Sequence, residues 1–68
     1  MKNLIKVERA RNNLTQAELA NKVNVARQTI IAVESGRFIP STVLSLKIAK
    51  VLHCKPEEIF ILEVDDWK

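Results

Sequence analysis

Arg27 and Gln28 stand side by side with the chemistry needed to read the edge of a nucleic-acid base. A Gln amide matches the N6 and N7 positions of adenine, and an Arg guanidinium pairs with guanine or a phosphate. Ile31 and Ala32 can pack on thymine methyl groups. At 100° per residue, a helix over about 27–35 places Ala26, Ile30 and Val33 on one side and Gln28, Ile31 and Ala32 on the other. The first set is expected in the core and the second facing outward. An outward isoleucine calls for a partner, either a DNA groove or another protein.

Other chemistry has less to stand on. His53 and Cys54 are the only residues of their types. Chain neighbours point in different directions, so neither a zinc site nor a Cys–His nucleophile pair is expected. Ser41 serves better as a helix cap than as a nucleophile, and no Gly-rich loop is present to cradle a phosphate. No enzymatic activity, cofactor or metal is expected.

The elements that must position Arg27 and Gln28 follow from composition. With 68 residues, 47% of them hydrophobic, the chain can close one small core, and a single domain over 1–68 is expected. One Cys excludes an internal disulfide, and no apolar run reaches the roughly 18 residues of a membrane span. A reducing, cytoplasmic setting is expected, away from any membrane. Residues 1–55 carry ten Lys or Arg against Glu8, Glu18 and Glu34, whereas 56–68 set Lys68 against five acids. A basic body favours a polyanionic partner, and the acidic tail should lie away from it.

Gly36, Pro40 and Pro56 are the only Gly and Pro residues, so a sheet built on Gly turns is improbable and helices are the default. Asn13, Asn24, Gly36 and His53 tolerate left-handed backbone and are read as helix stops. They divide the chain into five short helices, an all-α class. The first covers about 3–12. The second starts behind Thr15, whose partner Glu18 completes a capping box, and runs to about 22. The third covers about 27–35, the fourth 42–52 behind Ser41, and the fifth begins at Pro56, with Glu57 and Glu58 suiting its dipole. Residues 61–68 alternate imperfectly, as a short strand or a frayed tail. The second and third helices, about 15–35, form a bihelical unit of the kind that lays its second helix in the DNA major groove.

Within this frame, Thr15-Gln16-x-Glu18-Leu19-Ala20, Arg27-Gln28-Thr29-Ile30, Glu34-x-Gly36, Pro40-Ser41 and Lys47-Ile48-Ala49 resemble the helix-turn-helix family of the phage lambda and 434 repressors, also called the Xre family. The resemblance covers about residues 3–60 and implies a five-helix, lambda-repressor-like DNA-binding domain. It implies that Gln16 binds a phosphate and braces Gln28, while Arg27, Gln28, Ile31 and Ala32 meet bases. It further implies phosphate contacts from Thr15, Thr29, Arg37, Phe38 and the backbone after Gly36, and an ion pair between Arg9 and Glu34. The chain departs from the family at Asn13, Asn24 and His53, where Gly is usual, and at Ala26 and Lys55, where a hydroxyl cap is usual. Losing the cap at Ala26 should cost about 1 kcal/mol.

The C-terminal third points to a second copy. On the fourth helix, Leu44, Leu46, Ile48, Ala49, Val51 and Leu52 spread over roughly 220°, wider than one core face needs. Phe60, Ile61, Leu62, Val64 and Trp67 add apolar surface that a monomer cannot easily hide. Leu46 and those five residues are the expected dimer interface, within a dimerisation segment over about 56–68. The expected protein is a regulator, most simply a repressor, binding the major groove of double-stranded DNA at a palindromic operator as a homodimer. The alternative is an antitoxin that holds a protein partner on the same fold.

Overall fold

The computed structural model describes residues 1–68 as β1 (Lys2–Asn3), α1 (Ile5–Arg11), α2 (Gln16–Lys22), α3 (Arg27–Glu34), α4 (Thr42–Val51), α5 (Pro56–Ile59), β2 (Phe60–Ile61) and a closing 3-10 turn (Val64–Trp67). Five helices, as the stop residues imply, are joined by a two-stranded sheet. Asn13, Asn24 and His53 take positive φ of 55°, 60° and 58°, and Gly36 takes 81°. These are the four positions read from sequence as helix stops. The left-handed backbone turns the chain out of the helix at each one.

The starts are equally local. Thr15 Oγ1 accepts the Glu18 N–H at 3.0 Å and the Thr15 N–H donates to Glu18 Oε1 at 2.9 Å, closing the capping box of α2. Those bonds favour the charged carboxylate and hold Glu18 below the usual carboxylate range. Ser41 Oγ accepts the Leu44 N–H at 3.1 Å to open α4. At α5 the Glu58 carboxylate takes the Lys55 N–H at 2.7 Å, which is the carboxylate half of a capping box, while the Glu58 N–H goes to the Lys55 carbonyl at 2.9 Å in place of a cap hydroxyl. Ala26 opens α3 with no side-chain bond. It is exposed, not in the core set where the helical wheel puts it, because the cap residue stands outside the helix.

Each helix contributes to one core: Ile5 from α1, Leu19 and Ala20 from α2, Ile30 and Val33 from α3, Leu44, Ile48 and Ala49 from α4, and Ile59 from α5. Val23 and Leu52, the caps that follow α2 and α4, complete it. No polar or charged residue is fully buried with them. Burying each large aliphatic side chain contributes roughly 1.5–3 kcal/mol, so the core is the main source of stability.

The first helix differs from its expected span. It begins at Ile5, because Asn3 is engaged elsewhere: Lys2 and Asn3 pair antiparallel with Ile61 and Phe60. Asn3 Nδ2 also donates to the Val33 carbonyl at 2.8 Å, and the Leu4 N–H donates to the Ile59 carbonyl at 2.9 Å. The tail after β2 is ordered too. Its 3-10 turn is closed by the Glu63 N–H on Asp66 Oδ2 at 2.7 Å, and the N-terminal ammonium lies 3.0 Å from Glu63 and 3.1 Å from Asp66.

The left-handed stops give a direct stability test. Asn24→Ala should lower unfolding free energy by about 1 kcal/mol, since a Cβ without a local polar partner pays more in this region, whereas Asn24→Gly should be close to neutral. Urea denaturation of the two variants measures both effects.

Candidate nucleic-acid interface

Helices α2 and α3 pack closely against each other, and the turn between them carries half-buried Val25 onto the core. Lys47 on α4 donates to the Val23 carbonyl at 3.0 Å and fixes the C-terminal end of α2. At the other end of α3, the N–H groups of Arg37 and Phe38 both donate to the Ala32 carbonyl, at 3.0 and 3.2 Å, and that of Gly36 to Val33 at 3.1 Å. With Asn3 on the Val33 carbonyl, the last turn of α3 is satisfied from two sides.

A chain of polar contacts sets the position of α3. Arg9 on α1 donates from Nε to Glu34 Oε2 at 2.8 Å and from Nη2 to Glu34 Oε1 at 3.4 Å, while its Nη1 reaches the Leu14 carbonyl at 3.0 Å. Glu34 Oε1 also accepts from Gln16 Nε2 at 3.2 Å, and Gln16 Oε1 accepts from Arg27 Nη2 at 3.3 Å. The Arg9 and Glu34 side chains are only 15% and 9% exposed, so the pair is poorly screened and its geometry is well satisfied. One network therefore spans α1, the start of α2 and both ends of α3.

This geometry reassigns one contact. Gln16 braces Arg27 and Glu34, and Gln28 takes no part in the network. Gln16 Nε2 gives one of its two hydrogens to Glu34 and keeps the other, while its Oε1 accepts from Arg27. Gln28 is left exposed beside Arg27, on the side opposite Ile30 and Val33. Ile31 and Ala32 are half-buried, not fully outward; beside Ala32 the chain folds back and brings Phe38 against the helix. Thr15 is exposed and Thr29 half-buried.

Phe38, expected at a phosphate, is turned toward α3. Its N–H is spent on Ala32, and its side chain has no donor, so a ring 48% exposed is what it presents. The backbone after Gly36 is turned inward in the same way at Arg37. The Arg37 side chain remains, with Nε on Ser35 Oγ at 3.1 Å and the rest of the guanidinium exposed. Asn3 and Lys47 hold the unit in place without belonging to its outer face. Asn3 gave a faint signal, a polar residue among apolar ones, and its partner Val33 lies far along the chain.

Leu46, Phe60 and Leu62 line an open groove of about 400 Å³ together with Ile39 and Pro40. Leu46 and Leu62 are 53% and 57% exposed, Val64 and Trp67 82% and 77%, and Ile61 40%. Phe60 is half-buried and also packs on the core. Cys54 lies against Glu8, with Sγ 3.4 Å from the carboxylate, and partial burial together with that acid pushes the thiol up, the reverse of an activated nucleophile. No helix is long and apolar enough to cross a membrane.

A family model described as Helix-turn-helix matches residues 5–59, the whole of α1 to α5. The chain belongs to the helix-turn-helix family. An uncharacterised HTH-type transcriptional regulator of Methanocaldococcus jannaschii is 54% identical over 97% of this chain and 100% of its own length. Another, from Methanothermobacter thermautotrophicus, is 49% identical over the full length of both. Among solved structures, the restriction-modification controller protein C.AhdI of Aeromonas hydrophila superposes with a TM-score of 0.76 at 32% identity, over 82% of this chain and 85% of that one. The SinR protein/SinI protein complex gives 0.77 at 23% identity over 93% of this chain and 67% of that one, a likeness of fold. Taken with the polar network, these place the helix-turn-helix regulator among DNA-binding transcriptional regulators of the Xre type, with the lambda-repressor-like fold.

The Arg9–Glu34 pair yields a quantitative expectation. Glu34→Ala should cost about 3 kcal/mol, because it strands a largely buried guanidinium. Adding Arg9→Ala to it should cost less than the sum of the two single changes. A double-mutant cycle by chemical denaturation measures the difference, and strict additivity would refute the coupling.

Proposed function

We propose that this regulator binds the major groove of a palindromic operator as a homodimer and acts as a repressor by occupying its site. The observation that carries this reading is the open side of α3: Gln28 and Arg27 are exposed there, while Glu34, the only acid of the helix, is held inward by Arg9 and Gln16. In this reading Gln28 and Arg27 meet base edges, and Ile31 and Ala32 pack on methyl groups. Thr15, Gln16, Thr29 and the Arg37 guanidinium grip phosphates, which set the docking without specifying sequence. The Thr15 hydroxyl hydrogen is free for this, since only the oxygen is used by the capping box.

The twofold contact is assigned to the groove side. Leu46, Phe60 and Leu62 line the groove, Ile61, Val64 and Trp67 are the exposed apolar residues of the same C-terminal segment, and in this reading all six join the contact and the acidic tail lies away from the DNA. Such a dimer would carry its two recognition helices about 34 Å apart, one turn of B-DNA, and so read an inverted repeat. A second reading draws on the same groove: a protein partner seated there, as in an antitoxin. The fold likeness to SinR, solved in complex with SinI, favours keeping it in view.

Two measurements test the proposal. Selection of sites from random duplex DNA should enrich an inverted repeat with half-sites one helical turn apart, and binding should weaken steeply as salt rises. Gln28→Ala should relax one base position per half-site, a discrimination loss of about 1–3 kcal/mol. Separately, Leu46→Glu should shift sedimentation equilibrium from dimer to monomer while leaving helix content intact. A parent that is monomeric at micromolar concentration would sink the dimer.

A further inference from the structure

Beside Gln28 the surface holds a dimple of about 280 Å³, lined by Gln28, Thr29, Ala32 and Phe38. Its position is fixed by the backbone. The N–H of Phe38 donates to the Ala32 carbonyl at 3.2 Å, and that of Arg37 donates to the same carbonyl, so the chain folds back along the last turn of α3. The Phe38 ring is thereby set against the recognition helix next to Ala32, still 48% exposed. Ala32 leaves the space open, because its side chain is a single methyl. Arg27 opens α3 and Arg37 follows its end, both exposed. A half-exposed aromatic ring there contributes no donor to a phosphate and covers none of the buried core.

We propose that the dimple formed by Thr29, Ala32 and Phe38 is a receptor for the C5-methyl group of a pyrimidine next to the base read by Gln28, making Phe38 a specificity-determining residue. The proposal rests on the DNA reading above. In the major groove thymine differs from cytosine by its O4 acceptor and its methyl, and the methyl is the only apolar feature a base edge offers. A ring face and an alanine methyl can bury such a group, while Gln28 supplies the polar half of the reading. The same methyl is carried by thymine and by 5-methylcytosine, so both can supply the ligand chemistry, one through sequence and the other through modification.

The test uses the intact protein and the duplex enriched by site selection. Each thymine is replaced in turn by deoxyuridine, which deletes the methyl and nothing else, and Kd is measured by fluorescence anisotropy. One position per half-site should weaken by about fourfold in the parent, the worth of one buried methyl group. Phe38→Ala should lose that penalty, and Phe38→Leu should keep part of it; thermal unfolding of both variants should match the parent, since the ring lies outside the core. Cytosine and 5-methylcytosine at the same position separate the two sources: a gain on methylation assigns the site to the methyl itself. The proposal is overturned if every deoxyuridine duplex binds the parent as tightly as thymine does, or if Phe38→Ala retains the full penalty. Absence of any enriched, salt-sensitive binding by the parent would instead overturn the DNA reading on which it rests.

Discussion

The contact between Arg9 and Glu34 is the constraint on which the arrangement of the recognition unit depends. A carboxylate on α3 that is 9% exposed needs a cation, and α1 supplies one that also binds the Leu14 carbonyl ahead of α2. One guanidinium therefore fixes α1, the α1–α2 turn and the far end of α3 together. Gln16 extends the network to Arg27 at the near end of α3, so the helix is held at both ends by polar bonds and along its length by Ile30 and Val33. The apolar contacts supply most of the stability but are non-directional. The hydrogen bonds supply the angle.

That division of labour explains how the outer side of α3 can be so lightly engaged. Gln28 has no role in holding the helix, and the only acid of α3 is neutralised from within. The charge separation along the chain has a structural counterpart. Glu63 and Asp66 meet the N-terminal ammonium at the β1–β2 edge, where acids in the tail are drawn toward a local cation and not toward Arg27 or Arg37.

Much of this was legible in the sequence because much of it is local. Asn13, Asn24, Gly36 and His53 declare left-handed stops by residue type alone, and Thr15 with Glu18 declares a helix start by spacing alone. Arg9 with Glu34 was accessible only through the family resemblance, since no period links residues on different helices. What was not legible depends on partners distant in sequence. Asn3 reads as the start of a helix until Phe60 and Val33 are beside it. Gln16 reads as a brace for Gln28 until Glu34 is seen at its amide nitrogen and Arg27 at its oxygen. Phe38 reads as a phosphate contact until its N–H is seen bound to Ala32. In each case a side chain or amide with several possible partners was settled by tertiary packing.

The pairing of β1 with β2 also bears on the order in which the molecule assembles. Two strands of two residues each cannot hold together by themselves, and they join almost the whole length of the chain into one loop. The helices, whose starts and stops are encoded within a few residues, can form and dock without that loop being closed. Closure of the sheet thus belongs to the late stage of folding, and its opening to the low-energy fluctuations of the native state. Because Asn3 continues from β1 to the Val33 carbonyl, those fluctuations reach the last turn of α3.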